Sequence, residues 1–210
     1  MVFALLFAAG WTFRSYGRFS DQLSGVAGMT LGDTQGEVKY KLGIPPIVSG
    51  SSDPGDAGVR AYYTDPQKDP THAMPQGVDI DHFHTWSYDN GSLTGPHLDL
   101  TFDPATSRVS RIVCIDNSDP ATVYCGRLLG ISIGDPEGRV STVLGEPTRQ
   151  YIDEKLGVKT MEYGDIGAAY LLAKQRVFGI SVVGSGAHRQ PPTDRFLNWY
   201  LNELRAALRP

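Results

Sequence analysis

The run Asp79-Ile80-Asp81-His82-Phe83-His84 gathers two carboxylates and two imidazoles in one short stretch. Extended backbone would aim His82 and His84 to one side of a strand, as two ligands of one metal require. The spacing fixes no third strong ligand, so the run reads as a polar strand edge or a partner-facing loop, with no metal or cofactor expected. Gly184-Ser185-Gly186 beside His188 reads as a turn, because a serine nucleophile needs a base and a group to orient it. No P-loop, dinucleotide fingerprint or G-x-S-x-G motif occurs. The expectation is a protein that is not an enzyme, with a hydrolase or metalloprotein the least favoured reading.

Two cysteines, Cys114 and Cys125, flank the turn-forming run Asn117-Ser118-Asp119-Pro120. A bridge between them implies an oxidising compartment; two free thiols in a reducing cytosol is the other reading. Aromatic side chains offer anchors for a partner. Tyr62, Tyr63 and Phe83 cluster in an irregular stretch, and Trp199 and Tyr200 lie near the C-terminus, so these five are the candidate partner contacts. The net charge of -4 provides no basic stripe for phosphates, which excludes nucleic acid as the expected partner.

The N-terminus is apolar from Met1 to Phe13. As a helix it rises only about 20 Å, short of the roughly 30 Å hydrocarbon core. Phe3, Leu5, Leu6, Phe7, Trp11 and Phe13 are therefore expected to form a membrane anchor, shallow or spanning, or the core of a cleaved signal. Arg14 and Arg18 follow the apolar run and pull the opposite way, toward a cytoplasmic flank.

Positioning these residues falls to an echoed stretch, GDTQGEVKYKLGIP from Gly32 and GDPEGRVSTVLGEP from Gly134. Thr34 and Glu37 stand at capping-box spacing. Val38 and Leu42, and Val140, Val143 and Leu144, form short apolar stripes, while Gly43-x-Pro45 and Gly145-x-Pro147 stop each helix. Asp135 is expected to cap the second helix, with Pro136 in its first turn. Gly36 and Gly138 are costly inside a helix, which implies close backbone packing there. Alternating segments follow each copy, among them Trp86–Tyr88, Leu98–Phe102 and Val109–Ile115, and read as antiparallel strands. The C-terminal stripe Phe196, Leu197, Tyr200, Leu201, Leu204 and Leu208 predicts an amphipathic helix.

The pattern Gly32, Thr34, Glu37, Val38, Leu42, Gly43 and Pro45, with Trp86, Tyr88, Leu100, Phe102, Asp103, Arg108, Val109 and Ile112 behind it, resembles the SmpA/OmlA (BamE-like) domain. Its duplication is similar to the tandem arrangement of β-lactamase inhibitor protein-like folds. Asp33 and Asp135 replace a methionine often seen there, and the lipoprotein cysteine is missing. The resemblance implies an α+β fold of two tandem repeats, each a short helix followed by an antiparallel β-meander.

The expected organisation is an apolar segment at 1–20, a first repeat at 21–120 with an insertion at about 49–84, a second repeat at 121–190, and a C-terminal helix at 191–210. The expected function is non-enzymatic binding or scaffolding by an accessory or assembly subunit of a membrane protein complex. It would be anchored through the N-terminal segment on the extracytoplasmic (periplasmic) face. A secreted inhibitor or ligand-binding protein with a cleaved signal is the alternative.

Overall fold

The computed structural model describes residues 26–51, 61–89, 96–116, 118, 124–154 and 156–184. The first echoed stretch folds as helix α1 (Gln35–Leu42). The Thr34 backbone N–H donates to Glu37 Oε2 at 2.7 Å and the Glu37 N–H donates to Thr34 Oγ1 at 3.2 Å, so the capping box forms. Helix α2 (Glu137–Leu144) begins one residue later than expected: Pro136 is its N-cap and supplies no side-chain bond. The Asp135 carboxylate is engaged elsewhere, accepting the Ser132 N–H at 2.8 Å. Gly43 and Gly145 end the helices at φ 82° and 79°, a region that penalises a Cβ.

The strands are β1 (Ile47–Ser51), β2 (Ala61–Tyr63), β3 (Phe83–Asp89), β4 (His97–Phe102), β5 (Val109–Ile115), β6 (Arg127–Leu128), β7 (Ile131–Ser132), β8 (Arg149–Asp153), β9 (Val158–Tyr163), β10 (Ala168–Ala173) and β11 (Arg176–Val183). Nine of them make one antiparallel sheet in the order β2-β1-β3-β4-β5-β11-β10-β9-β8, and β6 and β7 form a separate small hairpin. The join is β5 with β11, where Cα partners run from Ile115↔Gly179 to Arg111↔Val183.

This architecture corrects the expected fold class. The protein is mostly β, one continuous sheet carrying two helices of eight residues among the described residues, and not an α+β tandem of BamE-like helix-plus-meander repeats. One apolar cluster draws Val38, Trp86 and Ile112 together with Val140, Tyr170 and Ile180, so no separate core lies on either side of position 120. What the two stretches share is local. Gly32 and Gly134 donate to Val109 and Val177 carbonyls at 2.8 and 2.7 Å, and Tyr88 and Tyr163 hydroxyls donate to Gly43 and Gly145 carbonyls at 3.0 and 3.1 Å.

Two further expectations change. Val143 is 48% exposed, so the stripe of α2 narrows to fully buried Val140 and partly buried Leu144. Gly36 and Gly138 are exposed with no close neighbour for an added Cβ, so close packing is not the reason for either glycine.

Both faces of the sheet are buried in its middle. Val38 of α1, Val140 of α2 and Ile80 and Ile166 of short 3-10 turns pack on the first face, beside Trp86, Leu98, Leu100 and Ile112. On the second face the cross-strand register sets Asp99, Val113, Ser181, Ala169 and Glu162 in one row running from β4 to β9. The next row runs from His97 through Ile115 and Leu171 to Thr160, and all of these side chains are buried.

The buried Cys114 and Cys125 form a disulfide, tying β5 to the segment before β6. Closing a loop of 11 residues removes about 2–3 kcal/mol of chain entropy from the unfolded state. Reduction should therefore lower the stability read from urea denaturation by about 2–3 kcal/mol, with a slope equal to or slightly above that of the oxidised protein. In the oxidised protein Val140→Ala should cost about 2 kcal/mol for lost apolar volume at a sealed site. Val143→Ala should cost less than about 0.5 kcal/mol because its side chain is already half in water. Equal losses for the two valines in the same denaturation series would contradict this packing.

Candidate interaction surface

The insertion is held against α1 by specific bonds. The Gln35 side chain donates to the carbonyls of Asp81 and Phe83 at 3.0 and 3.4 Å, and Trp86 Nε1 donates to the Ile80 carbonyl at 3.2 Å. Lys39 Nζ lies 2.8 Å from Asp81 Oδ2 and 6.0 Å from the centre of the Trp86 ring. At the other end Thr64 Oγ1 donates to the Pro45 carbonyl at 2.7 Å, beside the start of β1. An irregular stretch without its own core thus borrows α1 and the rim of the sheet for support.

These contacts disperse the acidic-histidine run. Asp79 caps the 3-10 turn Ile80–His82 by accepting the Asp81 N–H, and Asp81 pairs with Lys39. His82 closes that turn while His84 lies inside β3, so the two do not share one strand face as expected. Among the described residues no group of three or more His, Cys, Asp or Glu side chains is placed to hold a metal ion.

Of the candidate aromatic contacts, Phe83 is buried and Tyr62 packs against it with ring centroids 5.7 Å apart. Tyr63 is half-buried on β2. Trp199 and Tyr200 lie outside the described residues, as do Phe3, Leu5, Leu6, Phe7, Trp11 and Phe13. No described helix is long and apolar enough to cross a membrane.

Apolar side chains outside the predicted stripes are also exposed, Ile152 on β8 and Tyr124 among them, and two of them stand four residues apart at α1. Tyr40 is 93% exposed on α1 and Ile44 is 69% exposed just after it. Helical spacing carries the signal for the first: Tyr40 follows buried Val38 by two residues and so faces away from the sheet. With the insertion pinned alongside, these residues offer an apolar outer surface near one rim of the sheet.

A small acid-stabilised turn lies in the insertion. The Asp69 carboxylate accepts from Thr71 Oγ1 and the Thr71 N–H at 2.6 and 2.9 Å and lies 2.8 Å from His72 Nδ1. The Thr71 hydroxyl, then His72 and the Thr71 amide, hold its pKa down to about 2. The capping bonds from Thr34 likewise hold Glu37 below the usual carboxylate range.

Comparison with known proteins assigns no family. No family model and no curated protein sequence matches the chain. A similar solved structure is a crystal structure of a DUF4309 family protein (YjgB) from Bacillus subtilis, 12% identical, with a TM-score of 0.43 over 80% of this chain and 92% of that one. The SmpA/OmlA resemblance is therefore corrected: no family model supports it, and the sheet is not a BamE-like tandem. Capping and turn chemistry carried that resemblance, and any short helix docked on a sheet can arrive at it.

Because folded Asp69 and Glu37 have depressed pKa values, the stability they contribute is complete above their unfolded values of 3.8 and 4.5. It is lost as pH falls through the folded values, which for Asp69 means near pH 2. An NMR titration should find the Asp69 carboxyl midpoint at about 2, moving up toward 3.8 in Thr71→Val. A midpoint of 3.8 in the unaltered protein would remove the turn from this account.

Proposed function

We propose that this chain is an exported, non-enzymatic binding protein, an accessory subunit that docks other protein subunits of a membrane complex through the outer surface around α1. The observation that carries the reading is the pair of exposed apolar side chains, Tyr40 and Ile44, beside an insertion pinned to α1 by Gln35 and Lys39. Exposed aromatic anchors on a rigid support are favourable material for a protein interface. The Cys114–Cys125 bridge supports an oxidising compartment, and the apolar run from Met1 to Phe13 supports attachment to a membrane on that side.

The test is co-purification from detergent-solubilised membranes. Combining Tyr40→Ala with Ile44→Ala should leave stability within about 0.5 kcal/mol of the parent, since neither side chain is in the core. Partner retention should fall at least about tenfold. Full retention by the double variant would reject this surface. Mass spectrometry of the mature N-terminus decides the mode of attachment: an intact apolar run fits an anchored subunit, whereas cleavage near Ala9–Gly10 moves the reading to a secreted inhibitor or ligand-binding protein.

A further inference from the structure

The second face of the sheet is covered, and its cover has a measurable outline. The row from Asp99 to Glu162 is buried at every side chain, but its outward neighbours Ser87 on β3 and Arg149 on β8 are not. Burial thus begins at β4 and stops at β9, a strip across five adjacent strands and about 19 Å long at ~4.8 Å per strand. The strip is three rows wide at its apolar centre, where Val113, Ile115, Leu171 and Phe178 meet Val158 on β9, with Leu156 and Ala173 packed alongside. Both described helices pack on the opposite face.

We propose that the chain's own C-terminal segment, residues 194–208, lies across this strip as an amphipathic helix. A helix of that span is about 21 Å long and 10 Å wide, matching the strip in both directions. Its stripe of Phe196, Leu197, Tyr200, Leu201, Leu204 and Leu208 supplies an apolar face for the apolar centre. Arg205 and Glu203 border that stripe on either side, while Arg195 and Asn202 lie opposite it, as a helix with one apolar face toward the sheet and its charges toward water requires. Connectivity agrees. Strand β11 ends at Val183 beside the middle of the strip, and Gly184, Gly186, Pro191 and Pro192 lie in the connection, giving the chain the means to turn back. The apolar run at Met1–Phe13 fits less well, because it has no polar side to turn toward water.

Paired lysine substitutions in the full-length protein test this. Leu201→Lys places a charge in the stripe and should lower Tm by about 5–10 °C, expose β10 and β11 amides to faster hydrogen exchange and create a dye-binding apolar surface. Asn202→Lys, on the opposite side of the same helix, should leave all three readings as in the parent. A specific protease site inserted between Ser185 and His188 provides a second measurement free of any folding defect. After cleavage, the fragment carrying residues 191–210 should co-elute with the body of the protein. If the two lysine variants behave alike, or the cleaved fragment separates from a monomeric body whose β11 amides stay protected, another occupant covers this face and the proposal is wrong.

Discussion

The pairing of β5 with β11 is the constraint on which the rest of the molecule depends. It turns two runs of strands into one sheet, and it does so in the middle, where both faces must then be shielded from water. Ile112 and Ile180 consequently meet the helices on one side, while Val113 and Ser181 face the other. The disulfide acts on the same joint: Cys114 lies opposite Ile180 in the β5–β11 register, so its bridge fixes the strand that holds both halves together. A sheet this wide has few exposed edges relative to its area, and the short strands β2 and β8 close it at either end.

The echoed stretches show what repetition in a sequence does and does not specify. Each presents an aspartate just before the helix that accepts a nearby backbone N–H, from Thr30 to Asp33 at 2.9 Å and from Ser132 to Asp135 at 2.8 Å. Each presents an arginine at the start of the neighbouring strand or just before it that donates to a glycine carbonyl, Arg108 to Gly32 and Arg176 to Gly134, both at 2.8 Å. These are means of seating a helix of two turns on a strand end. They set a local geometry and leave the higher order open, which is why the same chemistry sits in one continuous sheet instead of two units.

Strand positions were legible because alternation is a local property. Leu98–Phe102 and Val109–Ile115 announce β4 and β5 to within a residue. Strand β1 was hidden, since Ile47-Val48-Ser49-Gly50-Ser51 has the composition of a loop and becomes a strand by pairing with β3. The disulfide was legible from spacing and turn residues, but its placement on the central joint was not. For the surface around α1, periodicity located buried Val38, and by the same rule it held the exposure of Tyr40. What it could not hold was the insertion's attachment, because Gln35 to the Phe83 carbonyl is a contact across 48 residues. Side-chain bonds to distant backbone have no sequence period to betray them.

The polar groups inside the second face argue that its cover is a specific one. His97 Nε2 lies 3.1 Å from Asp99 Oδ1, both side chains are buried, and the Asp99 charge opposes the lowering of the Arg111 pKa that burial causes. An apolar surface alone would accept many coverings in many registers. Charged groups kept from water cost free energy unless the neighbouring strands and the covering segment hold their partners in place. Such groups penalise a shifted covering more than they stabilise the correct one, so they select a single seat for whatever lies there. The second face thereby favours one fixed contact, in contrast to the outer surface around α1, where Tyr40 and Ile44 remain in water.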